Sequence, residues 1–390
     1  MFVVAVCLIS LGLFLLPTGF DSIYPKGMSM WARARIISVD NTTVKTIGPS
    51  KHGSQQIELL LLNTPFRGRH FFTWNNLLGK KELDKWFTPG DTAFVVLDLS
   101  PDRSDVQYAN VMDHYRIDGI VIIFVLFAGS LLWFAGWTGL KAMVSFLFSA
   151  ALIVKVLLPL MLHGWNPLLI TLFVVTLLTF VIIFLVGGFT RHGMVSFLGS
   201  MGGVIVTTLL SIIFTSAFRI HGAVRPFAES LLYMGFDTLS LPQLFMSGIF
   251  LASSGAVMDL SMDIASAMTE IVHKHPAISR KDLIQSGFRV GRHVVGTMTT
   301  TLLLAYTGGY TALLMTFIAQ GIPLANILNS IYVASEIVHT MVGSFGLVMV
   351  APITALAGGL LLQHGERAER TAVNDIADSR ELMTVRVISQ

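Results

Sequence analysis

Three carboxylates lie within one strongly apolar stretch of the chain, residues 248–270. A helix turns about 100° per residue, so Asp259, Asp263 and Glu270 share one face of a helix formed there. Ionisable side chains at membrane depth cost roughly 2.5–3.5 kcal/mol each, and they usually face protein or a water-filled cavity. The stretch therefore predicts an ion or proton site facing a bundle interior. Two alternatives stay open: the carboxylates face headgroups at the cytoplasmic end, or they pair with a buried Lys or Arg.

A second polar stripe occurs on the last apolar segment. It comprises Asn329, Tyr332, Glu336, His339 and Gly343, at spacings of three and four residues. Glu336 and His339 stand at i and i+3, so their side chains can touch on a helix. Such a pair would relay protons or contribute to a divalent-cation site, although two ligands are too few to predict a metal centre. The alternative is a structural hydrogen bond between helices.

Hydroxyl groups form a third feature, at Thr297, Thr300 and Thr301. Thr297 and Thr301 share a face one turn apart and would line a polar path beside the carboxylates. The alternative is that they bond to backbone carbonyls of their own helix. Small residues predict close helix packing at other positions, which are Gly199, Gly203 and Gly255.

Basic residues offer partners for these acids. Lys155 lies well inside an apolar run, and Arg292 precedes the threonines; either would neutralise a carboxylate. Snorkelling of Lys155 to the nearby membrane surface is the alternative for that residue. Between two later spans, Arg219, His221 and Arg225 form either a vestibule that attracts anions or the cover of an interface.

The composition places these residues in a membrane protein. The 390 residues are 53% hydrophobic and 13% charged, with a mean hydropathy of +0.71. Soluble domains carry about 25% charged residues. The single cysteine, Cys7, excludes an intrachain disulfide, and no cofactor, metal or nucleic-acid motif is recognisable. No nucleophile and base occur at matching depth, so an enzyme is not expected.

Four regions follow from the distribution of apolar residues. Residues 1–20 predict a transmembrane anchor, 21–115 a β-rich domain, 116–364 a seven-helix membrane domain and 365–390 a tail. Within the second region five segments alternate as strands do: WARARIISV, TVKTI, QIELLLL, HFFTW and DTAFVVLDL. Turn residues separate them, at Asp40-Asn41, Gly48-Pro49, Arg67-Gly68 and Pro89-Gly90-Asp91. This spacing predicts a small closed or half-closed β-barrel, of the OB type.

The apolar spans and the positive residues set the predicted topology. Seven spans follow the anchor, at 117–136, 143–162, 167–188, 194–216, 242–262, 293–318 and 326–362. The last exceeds the roughly 20 residues needed to cross, so we expect a break near Gly343 to Gly346 or at Pro352. The loop 272–292 and the tail, with Arg367 and Arg370, are rich in positive residues. The fold class is therefore a bundle of about eight transmembrane helices with cytoplasmic termini and an extracytoplasmic β domain.

Three long segments resemble a known family. They are GAVMDLSMDIASAMTEI (255–271), RVGRHVVGTMTTTLLLAYTGG (289–309) and ASEIVHTMVGSFGLVMVAPITAL (334–356). They are similar to the YibE/F-like family of bacterial multi-pass membrane proteins. The resemblance implies a bacterial plasma-membrane location and leaves the biochemical activity open.

Position matching to that family selects among the candidate residues. Asp259 falls on its GAVMD aspartate and Glu336 on the acidic residue of the last span. Asp263, His293 and Thr300 depart from the usual pattern, which weakens any requirement for Asp263. The resemblance thus favours Asp259 and Glu336 as the paired site.

The leading hypothesis is an ion- or proton-coupled transporter or permease. Asp259, Glu336, His339 and Asp263 would form the intramembrane site, assisted by Thr297 and Thr301, and the cargo would be an ion or small solute. The rival is a non-transporting receptor or scaffold whose β domain binds a ligand or partner. Expected partners are the lipid bilayer and either a second copy of the chain or a second family member.

Overall fold

The computed structural model describes residues 2–20 and 29–388, with side chains up to Leu362. The molecule consists of two units. The contacts divide the chain into Met1–Thr18 with Ala135–Gln390, and Gly19–Phe134. We refer to them as the helical unit and the β unit. The start of the predicted β domain at residues 21–28 and the predicted tail side chains, including Arg367 and Arg370, lie outside the described part.

The β unit contains one antiparallel sheet of six strands. They are β1 (Ser29–Asp40), β2 (Lys45–Ile47), β3 (Ser50–Leu61), β4 (His70–Leu78), β5 (Thr92–Leu99) and β6 (Val106–His114). The order β3-β1-β5-β6 forms the main path, and both β2 and β4 pair with β3. The sheet curls into a half-barrel, which agrees with the expected closed or half-closed barrel. Five strands were expected; β6 was missed because its sequence, VQYANVMDH, has no strict apolar alternation.

A buried glutamine organises one end of this half-barrel. The amide nitrogen of Gln55 donates to Asn41 Oδ1 (2.8 Å) and to the Phe87 carbonyl (3.0 Å). Its amide oxygen accepts from Asn75 Nδ2 (2.9 Å) and from the backbone N–H of Phe87 (3.0 Å). The side chain of Gln55 is fully buried, so these bonds have no water to replace them.

Replacing Gln55 with leucine is expected to lower the free energy of unfolding of the β unit by about 2–4 kcal/mol. The substitution conserves bulk but leaves the backbone N–H and carbonyl of Phe87 without partners, at about 1–3 kcal/mol each, and removes one of the two hydrogen bonds of Asn75 Nδ2. Tryptophan fluorescence during urea unfolding of the full chain in detergent would measure the loss. The exposed strand change Thr46→Val is the control. Equal stability of the Gln55→Leu and Thr46→Val variants would contradict the expectation.

The described residues form eleven α-helices, most of them in the helical unit. They are α1 (Phe2–Leu15), α2 (Ile117–Leu152), α3 (Leu158–Leu162), α4 (Pro167–Gly187), α5 (Arg191–Ala217), α6 (Ala228–Tyr233), α7 (Leu241–Lys274), α8 (Arg280–Gly308), α9 (Thr311–Ala319), α10 (Leu324–Asn329) and α11 (Ile331–Ile388). One turn between α2 and α3, Ile153–Leu157, is wound as a π-helix. Side-chain caps mark several starts: Asn166 caps α4, Thr190 caps α5 and Ser279 caps α8.

Five helical stretches of the described chain are long and apolar enough to cross a membrane. They are Ile117–Leu162, Pro167–Gly187, Arg191–Ala217, Leu241–Lys274 and Ile331–Leu362. A sixth candidate is the pair α8 and α9, which bends by 65° at its break. The helix α1 has 14 residues, about 21 Å, which is short of the roughly 30 Å hydrocarbon core.

The break in the last span does not occur where we expected it. The helix α11 runs without interruption through Gly343, Gly346 and Pro352, and the chain breaks earlier, at Ser330. Both glycines instead permit close packing. A Cβ added at Gly346 would lie 1.7 Å from Thr207 Oγ1, and one at Gly343 would lie 3.3 Å from Ser253 Cβ. A second break lies in the preceding span, between α8 and α9.

Candidate functional site

The connection between α5 and α7 contains Arg225 and packs against α7. Ile220 and Val224 of this connection are buried against Phe245 and Ile249 of α7. Gly222, at φ +81°, lies directly on the backbone of Leu241, where an added Cβ would come within 2.1 Å of the carbonyl oxygen. These contacts hold the connection against α7, and the side chain of Arg225 is 29% exposed.

Arg225 is the centre of a polar network. One guanidinium nitrogen, Nη1, donates to the Tyr310 hydroxyl (2.9 Å) and approaches Glu336 Oε2 (3.3 Å). The other, Nη2, contacts Nδ1 of His339. The side chains of Glu336 and His339 are 11% and 8% exposed. A guanidinium, a carboxylate, an imidazole and a phenol thus meet in one largely buried place.

Aromatic rings enclose the network. The guanidinium carbon of Arg225 lies 5.4 Å from the ring centre of Phe245 and 5.9 Å from that of Tyr310. The ring of Tyr306 stacks on the imidazole of His339 with centres 4.4 Å apart. Cation–π contacts of this kind strengthen when they are desolvated. The rings therefore both hold the guanidinium and limit the access of water.

The hydrogen bonds define the tautomer of His339. A guanidinium has only donors, so Nδ1 of His339 must be the acceptor and Nε2 must carry the hydrogen. Within the described residues, Nε2 of His339 and the hydroxyl of Tyr306 are buried and have no hydrogen-bond partner. The network therefore contains two buried hydrogen-bond donors that have no acceptor among the described residues.

The break between α8 and α9 brings Tyr310 into the site. The helix α8 ends at Gly308, and Tyr310 precedes the first residue of α9. A cavity of about 110 Å³ opens beside it, between α8, α9 and α11; its lining includes Leu303, Thr307, Tyr310, Glu336 and Thr340. Interrupted helices at membrane depth are tolerated where they line a cavity or are covered by protein. Here the interruption coincides with the charged network.

The structure does not bring Asp259 to Glu336. Gly343 of α11 lies against Ser253 of α7, and Gly291 touches both Ile264 and Ala351, so α7 and α11 run parallel. Glu336 lies seven residues before Gly343 on α11, and Asp259 lies six residues after Ser253 on α7. At 1.5 Å per residue the two carboxylates are about 20 Å apart along the helices. The expected pairing of Asp259 with Glu336 is therefore wrong.

The acidic stripe of α7 also faces away from the bundle interior. Its members Ala252, Gly255, Asp259, Asp263, Ser266 and Glu270 are all exposed. Glu270 pairs with Lys274 at 2.9 Å, while neither Asp259 nor Asp263 forms an ion pair with any described residue. These carboxylates therefore lie on an exposed side of α7, while Ser266 of the same stripe contacts His192 of α5 at 2.8 Å. Gly255 packs against no other helix, since an added Cβ would meet no described atom within 4 Å.

The suggested basic partners lie elsewhere. Lys155, on the π-helical turn, donates to the carbonyl of Leu16 at 3.0 Å, just beyond α1. Arg292 is exposed on α8 and has no ion pair within the described residues. The partner of Glu336 is instead Arg225, which the sequence had suggested only as part of a vestibule.

The threonines of α8 bond to their own helix. Thr297 donates to the Val294 carbonyl, Thr301 to the Thr297 carbonyl and Thr300 to the Gly296 carbonyl, at 3.0–3.2 Å. This is the structural alternative considered for them. By contrast, Gly199 and Gly203 of α5 lie tightly against Thr354 and Val350 of α11.

No group of three or more His, Cys, Asp or Glu side chains able to hold a metal occurs in the described part of the chain. The Arg225 network has one carboxylate and one imidazole, and its imidazole acceptor faces a guanidinium. The network therefore combines two groups that can exchange protons, Glu336 and His339, with a guanidinium that only donates hydrogen bonds.

The apolar helices and the half-barrel together define a class, that of helical membrane proteins with an appended β domain. The family model of the YibE/F-like proteins matches residues 123–364, more than half of the chain. The chain therefore belongs to the YibE/F-like family. No curated protein and no solved structure matches it.

Proposed function

We propose that this YibE/F-like protein is a proton-coupled membrane transporter whose coupling site is the Arg225 network. The observation that carries the proposal is a largely buried Arg–Glu–His cluster beside an interrupted helix. Transporters commonly place ion and substrate sites at such interruptions, where freed backbone groups and charged side chains line a cavity. The proposed role of Glu336 is to gain and lose the transported proton, and that of Arg225 is to stabilise its ionised form.

The proposal includes eight crossings of a bacterial plasma membrane. The stretch Ile117–Leu162 has 46 residues, about 69 Å of helix, which is twice the hydrocarbon core. Its backbone leaves helical geometry at Gly136 (φ 52°, ψ −124°), which supports two crossings. With α1, the α8–α9 pair and the four other long helices, the count is eight. We place the β unit outside and both termini in the cytoplasm, following the positive loop 272–292.

Flux measurements on a carboxylate variant test this function. Reconstituted in liposomes with an internal pH-sensitive dye, the protein should dissipate an imposed pH gradient. The Glu336→Gln variant should fall to the rate of protein-free liposomes, because its amide cannot carry a proton. The control is Glu270→Gln, at the Lys274-paired end of α7, which should keep the full rate.

Two results would contradict the proposal. One is the absence of flux in the parent protein over a panel of co-ions. The other is retention of flux by Glu336→Gln. Loss of flux in Asp259→Asn together with retention in Glu336→Gln would move the coupling site to the exposed stripe of α7.

One observation favours the rival function, a receptor or scaffold. Strand β4 exposes Phe72 and Trp74, 67% and 51% accessible, on the side of the sheet away from its core. Exposed aromatic side chains on a β domain are typical of ligand or partner contacts. If the protein is a receptor or scaffold, the double variant Phe72→Ser with Trp74→Ser should fail to replace the parent protein in cells. The Glu336→Gln variant should still replace it.

A further inference from the structure

We propose that Arg225 binds a small oxyanion. The ionised carboxylate of Glu336 competes with that anion for the guanidinium, and it releases the guanidinium when it takes up a proton. The inference rests on the proposed transport function and deepens it, because it names the chemical class of the cargo. It predicts symport of one oxyanion with one proton.

The first support is the excess of hydrogen-bond donors. The guanidinium of Arg225 has five N–H groups, and the described acceptors around it are Tyr310 Oη, Glu336 Oε2 and His339 Nδ1. The N–H at His339 Nε2 and the hydroxyl of Tyr306 are two more buried donors without partners. His339 is 6% exposed, so its orphaned donor lies inside the protein. The guanidinium N–H groups that have no described acceptor are those that a bound oxyanion would satisfy.

The second support is the monodentate contact between Arg225 and Glu336. Charge-assisted N–H···O bonds are usually 2.7–2.9 Å long, and paired Arg–carboxylate contacts are often bidentate. Here a single oxygen of Glu336 stands 3.3 Å from Nη1 of Arg225. Because only one carboxylate oxygen contacts the guanidinium, Glu336 does not use the full hydrogen-bonding capacity of Arg225.

Charge balance couples the exchange to a proton. With Glu336 ionised and His339 neutral, Arg225 is already compensated, and an added anion would leave a net negative charge in a poorly hydrated place. When the carboxylate takes up a proton, the guanidinium is uncompensated and the anion restores neutrality. The groups facing Glu336 are Arg225 from the loop, Tyr310 from the helix break and His339 from α11 itself. Tyr306 of α8 and Phe245 of α7 complete the enclosure.

The connection that carries Arg225 contains two further basic side chains. Arg219 and His221 are exposed on the same connection that carries Arg225. Positive side chains at the mouth of a cleft raise the local concentration of anions. Arg219 and His221 therefore place further basic side chains on the connection that carries Arg225.

Calorimetric titration of the purified full chain in detergent tests the inference. Sodium nitrate and sodium formate are the probes, because both stay monoanions between pH 5.5 and 8, and sodium chloride at equal ionic strength is the reference. For the parent protein we expect oxyanion binding at pH 5.5 and at least about tenfold weaker binding at pH 8, because the bound state requires a proton. Glu336→Gln should bind with similar affinity at both pH values. Arg225→Lys keeps the charge but loses the planar fork, and should bind at least about tenfold more weakly.

The result that would overturn the inference is equal affinity at both pH values in the parent protein, or retained pH dependence in Glu336→Gln. Equal binding by the Arg225→Lys and parent proteins would do the same, because it would locate the anion elsewhere. Failure here is distinguishable from failure of the transport function. Proton flux without oxyanion binding leaves transport standing, while pH-dependent binding without flux leaves a binding protein.

Discussion

Replacing Arg225 with glutamine is expected to lower the free energy of unfolding by about 3 kcal/mol. The loss comes mainly from Glu336, whose carboxylate would remain 11% exposed beside aromatic rings with no cation to compensate it. Removing one partner of a buried ion pair costs roughly 3–5 kcal/mol, and the 29% exposure of Arg225 favours the lower end of that range. Reversible unfolding in mixed micelles of increasing SDS content, followed by tryptophan fluorescence, would measure the change.

The double variant Arg225→Gln with Glu336→Gln separates this cause from a general disturbance of the loop. With both charges removed, no buried charge is left unpaired, so we expect the double variant to regain most of the lost stability. The single Glu336→Gln variant should be close to the parent, since an uncompensated guanidinium at 29% exposure can still reach water. A double variant as unstable as Arg225→Gln alone would show that the arginine acts through packing of the loop instead.

The sequence predicted much of the architecture because apolar periodicity is a local signal. The alternation in segments such as DTAFVVLDL gave β5 nearly to the residue, and the long apolar runs gave the membrane helices. The break at Gly308–Tyr310 was not predicted, since paired glycines also occur within continuous transmembrane helices. The continuity of α11 through Pro352 depends on its packing against α5, α7 and α8, which no local pattern reveals.

The site was predicted only in part, for a geometric reason. The spacing of Glu336 and His339 correctly placed both on one face of one helix. The spacing of the α7 carboxylates was equally regular, but periodicity does not say whether a face turns inward or outward. Arg225 is 111 residues from Glu336 in sequence and lies in the irregular part of the connection, before α6, so no periodic signal links them. A usable clue was its local setting, an arginine directly after the apolar Val224 and before Pro226.

Replacing Gly222 with alanine is expected to reduce stability by about 3–5 kcal/mol and to abolish transport. The residue stands at φ +81°, which costs a residue with a Cβ roughly 1–2 kcal/mol. The added Cβ would also lie 2.1 Å from the carbonyl oxygen of Leu241 and 2.8 Å from the nitrogen of Pro242. Backbone atoms at the start of α7 cannot rotate away, so the connection itself must lift and carry Arg225 away from Glu336. SDS unfolding and liposome flux measured on the same preparation would show both losses.

Gly235 provides a matched control in the same connection between α5 and α7. It has a comparable backbone angle, φ +94°, but an added Cβ there would meet no described atom within 4 Å. Gly235→Ala should therefore show only the conformational cost, roughly 1–2 kcal/mol, and keep its flux. The difference between the two variants isolates the contact of the loop with Leu241. If both variants lose stability equally and both keep transport, that contact does not position Arg225, and the coupling site does not depend on how the loop is seated on α7.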